Sequence, residues 1–285
     1  MMRIILTIAL LLSTTLSAAQ PREPDKGASR VVAIGGPVTE IVYALGAGRR
    51  LVAADTTSVY PVIARKLPSV GYMRAVSSEG VLSVKPQLVL AAGDAGPGSA
   101  LAQIRSTGVP VTMLPKENSY ESLLTSIRIA ATALGIQAEG WALEKQIAVE
   151  WARTETEVKG YKQRPRVLFL LAHSSANSML VAGEDTSADA MIRLAGGTNA
   201  ASGFKGYKPL SAEAAIAAAP EVLLITSEGV DVIGGAERLW DRPGLAQTPA
   251  AREKRVVAFD SLYLLGFGPR LPEAVRDLAR RVRGL

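Results

Sequence analysis

A chain of 285 residues, 48% hydrophobic and 20% charged, carries enough apolar sequence for one large domain or two modest ones. It contains no cysteine, which excludes disulfides, thiol nucleophiles, thiolate metal sites and a lipid-bearing cysteine at a mature N-terminus. The formal net charge of +6 is scattered among 32 Lys and Arg, so it reads as a solvated basic surface, part of it open to an anionic ligand, and not as a nucleic-acid interface.

Residues 1–19 stand apart. Arg3 makes a short basic start, Ile4 to Leu12 is almost unbroken apolar sequence, and Ser17-Ala18-Ala19 offers small residues for cleavage. This is the pattern of a secretory signal, and the apolar run is well short of the ~20 residues that span a bilayer. Export without disulfides or a lipid anchor makes the bacterial periplasm the expected compartment, with no stable membrane insertion.

The mature chain opens with a β-rich run, Arg30 to Ile34, ending at Gly35-Gly36. A helical pattern follows from Pro37 to Leu45 and closes at Gly46. Further strands are expected at Leu51 to Ala54, Leu88 to Ala92 and Val111 to Leu114, alternating with helices near Glu79 to Val84 and Ser99 to Arg105. Such alternation predicts a mostly parallel sheet. Ligands of such sheets bind at the carboxyl ends of strands, which here carry Gly35-Gly36, Asp55-Thr56-Thr57 and Gly93-Asp94-Ala95-Gly96-Pro97. None of these loops spells a dinucleotide fingerprint or a P-loop.

From Ala138 to Lys159, apolar residues Leu143, Ile147, Trp151 and Val158 recur at helical spacing, with charges on the remaining faces and Gly160 at the end. At 1.5 Å per residue this helix spans about 33 Å, roughly the width of a small domain. Beyond it the plan repeats. Strands are expected at Arg166 to Leu171, Met179 to Ala182, Val222 to Thr226 and Arg255 to Phe259, and helices near Ser187 to Leu194 and Ala212 to Ala219. A last helix is opened by Pro272. The predicted architecture is α/β, with two lobes of mostly parallel sheet, residues 20–137 and 161–285, joined by one bridging helix over 138–160.

A repeat links the lobes. Gly71-Tyr72-Met73-Arg74 runs on through Ser77-Ser78-Glu79 to Pro86-Gln87-Leu88, and Gly206-Tyr207-Lys208-Pro209 runs on through Ser211-Ala212-Glu213 to Pro220-Glu221-Val222. Each copy is expected to place a tyrosine in a loop, a glutamate in the first turn of a short helix, and a strand after the proline.

Catalytic sets are missing. There is one histidine, His173, and neither a Gly-x-Ser-x-Gly elbow nor a His-Glu-x-x-His pair, so an exported enzyme acting on an anionic substrate lacks its parts. A site built from several imidazoles is also out of reach. Tyrosine, one histidine and six methionines remain for a ferric or soft metal.

Four stretches carry a resemblance: Gly71-Tyr72-Met73-Arg74 with Ser77-x-Glu79-Gly80-Val81-Leu82-Ser83; Ala188-Asp189-Ala190-Met191-Ile192-Arg193-Leu194-Ala195-Gly196-Gly197; Gly206-Tyr207-Lys208-Pro209-Leu210-Ser211-Ala212-Glu213; and Leu262-Tyr263-Leu264-Leu265-Gly266-Phe267-Gly268-Pro269-Arg270. Over nearly the whole mature chain they resemble the periplasmic haem-binding proteins of bacterial haem ABC importers, which are class III substrate-binding proteins with a helical backbone. The resemblance implies haem held between two lobes, a monomer, and delivery to an inner-membrane permease. It implies Tyr72 as axial ligand to the iron with Arg74 as its partner, and a phenolate is a hard donor suited to ferric iron that a neighbouring guanidinium favours. Tyr207 is the repeat counterpart, but Lys208-Pro209 follows it where Met73-Arg74 follows Tyr72, so a wall contact is expected. His173, after the strand that ends at Leu171, is a candidate cleft contact, either a ligand for a second haem or a hydrogen-bonded loop residue. Glu79 and Glu213 match the acidic pair such proteins present to the permease, with helix-start glutamates as the plain alternative. A ferric siderophore or corrinoid carrier of the same fold is the rival assignment.

Overall fold

Each of the four strands expected between Arg30 and Leu114 forms in the computed structural model, which describes residues 27–172 and 179–285. Strands β1 (Val31–Ile34), β2 (Leu51–Ala54), β3 (Leu88–Ala91) and β4 (Val111–Met113) form one sheet in the order β2-β1-β3-β4, all parallel. Every residue of β1 and β3 is buried, as strands covered on both faces require. The covering helices are α1 (Gly36–Ala44), α2 (Ser78–Ser83), α3 (Gly98–Ser106) and α4 (Tyr120–Leu134). The strand order reverses between β1 and β3. A crevice therefore opens past their carboxyl ends, at Gly35-Gly36 and Gly93-Asp94.

The bridging helix α5 runs Gln137–Gly160 and buries Leu143, Ile147 and Thr154. Its first half packs on α4, where a Cβ on Gly140 would lie 2.6 Å from that of Ala131, so only glycine permits this approach. Trp151 stacks on Tyr120 with ring centroids 4.7 Å apart. Charge pairs tie α5 to each lobe: Glu144 with Arg128 at 2.7 Å, and Glu157 with Arg280 at 2.6 Å.

The second half supplies β5 (Arg166–Ala172), β6 (Met179–Ala182), α6 (Ser187–Leu194), β7 (Thr198–Asn199), β8 (Tyr207–Pro209), α7 (Ala212–Ala218), β9 (Val222–Thr226), α8 (Ser227–Ile233), α9 (Pro249–Arg252), β10 (Val256–Phe259), α10 (Ser261–Leu265) and α11 (Leu271–Arg281). Its sheet runs β10-β9-β5-β6-β8, with β7 beside β5. The β10-β9-β5 core is parallel, as expected, but β6 and β8 pair antiparallel, so this sheet is mixed. Tyr207 accordingly begins an edge strand and does not sit in a loop.

One apolar cluster extends from β1, β3 and α4 through α5 into β5, α6 and α11. The lobes are thus joined by continuous core as well as by helix. Thr154 on α5 adds a buried hydrogen bond to Pro272 O at 3.0 Å. At the base of the crevice the Arg270 guanidinium grips Glu40 of α1 with Nη2 at 2.5 Å and Nε at 3.1 Å, lying 3.7 Å from the Tyr60 ring centroid and 4.9 Å from that of Tyr263. A Cβ on Gly36 would lie 2.6 Å from Leu262, so the lobes touch here with no room to spare.

Candidate functional site

A cleft of about 1060 Å³ lies between the lobes, at the upper end of the ~300–1,000 Å³ usual for small-molecule sites. Its first wall is made of Thr56, Thr57, Tyr72, Arg74, Gly93 and Asp94, carried by the loops after β2 and β3 and backed by the turn at Gly35-Gly36. Asp55, buried after β2, accepts from Gly35 N at 2.8 Å, Thr57 N at 2.9 Å, Ser58 Oγ at 2.9 Å and Thr57 Oγ1 at 2.7 Å, while Gly36 N donates to Thr57 Oγ1 at 2.9 Å. The N–H groups of both glycines at the start of α1 are thereby occupied within the protein. Gly35 and Gly36 therefore serve as a turn, and neither offers its own N–H to a phosphate.

Tyr72 sits between β2 and α2. Met73 is buried in the apolar cluster under the first sheet, so its neighbours Tyr72 and Arg74 both turn outward to the cleft. Backbone bonds hold the loop: Thr56 N donates to Gly71 O at 2.9 Å, Gly96 N to Met73 O at 2.8 Å and Val76 N to Gly96 O at 2.9 Å. Arg74 Nη1 donates to Tyr72 Oη at 3.1 Å, and Arg74 Nη2 bonds Asp94. That bond, first among several causes, holds the guanidinium pKa above its ordinary value. Tyr72 keeps 44% of its surface exposed, leaving its oxygen reachable by a ligand.

The facing wall comes from the second lobe. Tyr207, 39% exposed at the start of β8, projects there beside Gly206, Asp185 and Thr186. Burial raises its phenol pKa, and Arg74 pulls the other way across the cleft. Two tyrosines thus face one cavity from opposite walls, and only Tyr72 is hydrogen-bonded to a guanidinium. Among the described residues, no group of three or more His, Cys, Asp or Glu is placed to hold a metal ion. A metal bound here would have to bring most of its own ligands.

Glu79 and Glu213 are exposed, each in the first turn of its short helix behind an N-cap serine, Ser77 or Ser211. Glu213's own backbone N–H, and then Ser211, lower its carboxyl pKa. His173 and residues 1–19 lie outside the described residues. Asp94 and the Glu40–Arg270 pair were given no role by sequence reasoning. A charged residue in a strand-end glycine loop was a signal for the first, whereas nothing local marks the second, whose partners are 230 residues apart.

Two α/β lobes on a long helix, with a ligand-sized cleft between them, define a substrate-binding protein of the transport kind. The chain belongs to the periplasmic binding protein family, whose model matches residues 31–263. It is similar to the periplasmic heme-binding protein BhuT in complex with two hemes, at 47% identity and a TM-score of 0.86 over 90% of this chain and 98% of that one. It is also similar to the apo periplasmic heme-binding protein RhuT from Roseiflexus sp. RS-1, at 42% identity and a TM-score of 0.87 over 90% and 99% of the two chains. The vitamin B12-binding protein of Vibrio vulnificus (strain YJ016) is 25% identical over 98% of this chain and 96% of its own.

Proposed function

We propose that this periplasmic binding protein captures haem in the interlobe cleft and delivers it to an inner-membrane ABC importer, as a monomer with no catalysis of its own. The observation that carries the proposal is the exposed Tyr72 phenol in a cleft of porphyrin-carrying dimensions, bonded to Arg74. A phenolate supplies the one strong donor that ferric haem asks of a protein, since the porphyrin supplies four. Tyr72 is then the axial ligand, Arg74 its hydrogen-bond partner and Tyr207 a wall contact. Glu79 and Glu213 dock the permease. Residues 20–137 and 161–285 act as the lobes, 138–160 as the bridge, and 1–19 as the cleaved signal.

The similarity to a vitamin B12-binding protein keeps the corrinoid alternative in view, and one preparation separates the two. Protein purified from haem-replete cells should show a haem Soret band and at least one iron per chain, and incubation with cobalamin followed by its removal should leave the bound haem in place with no cobalt retained. Protein that takes up cobalamin and ignores hemin overturns the proposal.

A further inference from the structure

We propose that Asp94 is a positioning residue for the iron ligand, holding Arg74 on the Tyr72 oxygen and limiting the charge that the guanidinium draws from it. The inference rests on the reading of Tyr72 as ligand and concerns how strongly that ligand donates.

One guanidinium bridges a phenol and a carboxylate, with Nη1 to Tyr72 and Nη2 to Asp94. The bridge spans two loops whose backbones are already locked by the paired bonds between Met73, Val76 and Gly96. The backbone separation of Tyr72 and Asp94 is therefore set. Arg74 itself is not fixed by packing, because 59% of its side chain is exposed and its rotamer freedom opposes any single pose. Were Asp94 absent, the guanidinium would have a second phenol within electrostatic reach, Tyr207 on the facing wall.

The carboxylate also acts through charge. A guanidinium that donates to a phenolate draws density from the oxygen and weakens it as a donor to iron, and hydrogen bonds to an axial ligand are a known lever on iron potential. An anion on the far side of the same guanidinium offsets part of that pull. Two substitutions separate these effects. Asp94→Asn keeps an accepting oxygen and removes the charge, and Asp94→Ala removes both.

The test uses the full mature chain loaded with hemin, reading the tyrosinate-to-iron charge-transfer band and the midpoint potential. Asp94→Asn should move the band to shorter wavelength and the potential upward, with haem stoichiometry unchanged. Asp94→Ala should move both in the opposite direction, matching Arg74→Ala, and Asp94→Glu should restore values close to wild type. A merely structural role would lower the melting temperature of these variants and leave band and potential at wild-type values. That result, with Tyr72→Phe losing the band, overturns the inference and leaves the ligand reading standing. A Tyr72→Phe protein that keeps the band overturns both.

Discussion

At the scale of single residues, the cleft divides into positions that local pattern discloses and positions that only folding brings together. Tyr72 and Arg74 are two residues apart in one hydrogen-bonded turn, Ala75 N donating to Tyr72 O at 2.8 Å, so the two side chains are near neighbours by sequence. That much is visible in the chain. Asp94 is 20 residues from Arg74 and meets it because the loop after β3 is hydrogen-bonded at Gly96 to Met73 and Val76 of the loop after β2, a tertiary contact that spacing does not encode. His173 follows the end of β5, where a cleft residue is expected. If it serves only its loop, His173→Ala will leave the haem spectrum and stoichiometry as they were. A variant that loses one haem equivalent and keeps another would show that it ligates a second haem instead.

At the scale of elements, the internal repeat is realised in part. Both copies deliver a capped short helix with its glutamate in the first turn and a buried strand after the proline, β3 in one lobe and β9 in the other. They differ at the tyrosine, where Lys208-Pro209 continues Tyr207 into a strand that pairs with β6. A three-residue edge strand is set by the partner beside it more than by its own pattern, which is why it was not legible. Helix α4 was legible and is absent from the expected elements. Ser119 caps it, Leu123, Ile127, Ala130, Ala131 and Leu134 make its buried stripe, and Gly135 closes it in the left-handed conformation. The paired glutamates carry a prediction at this scale. Replacing Glu79 and Glu213 together with Ala should abolish transport into reconstituted vesicles holding the permease, leave haem affinity unchanged, and alter stability by no more than about 0.5 kcal/mol. Uptake at the wild-type rate would remove them from the docking surface.

For the whole molecule, the continuous core and the Glu40–Arg270 grip hold the lobes in one arrangement at the base of the cleft. Glu40 is 5% exposed, and burial raises its carboxyl pKa even though Arg270 lowers it in part. Arg270→Ala would strand that carboxylate, at a cost of about 3–5 kcal/mol. A carboxyl whose pKa is raised on folding loses its contribution to stability as pH rises through the folded value. The deficit of the Arg270→Ala variant should therefore shrink as pH is lowered toward and below the ordinary 4.5 of a glutamate, and a thermal melt followed against pH reads this directly. A deficit that does not change with pH would mean the pair matters by packing alone. The two lobes and the bridge were legible from apolar runs and one uninterrupted helical stripe and the cleft between them from the family resemblance, whereas the grip at the base joins distant segments and was not. What the lobes are held apart to receive is decided by a hemin titration of the wild-type protein, Tyr72→Phe and Tyr207→Phe, followed by absorbance. Wild type and Tyr207→Phe should bind with the tyrosinate-to-iron band, and Tyr72→Phe should lose the band and most of its affinity. Hemin bound by Tyr72→Phe with an unchanged spectrum, and the band lost in Tyr207→Phe, would contradict the account and move the ligand to the second lobe.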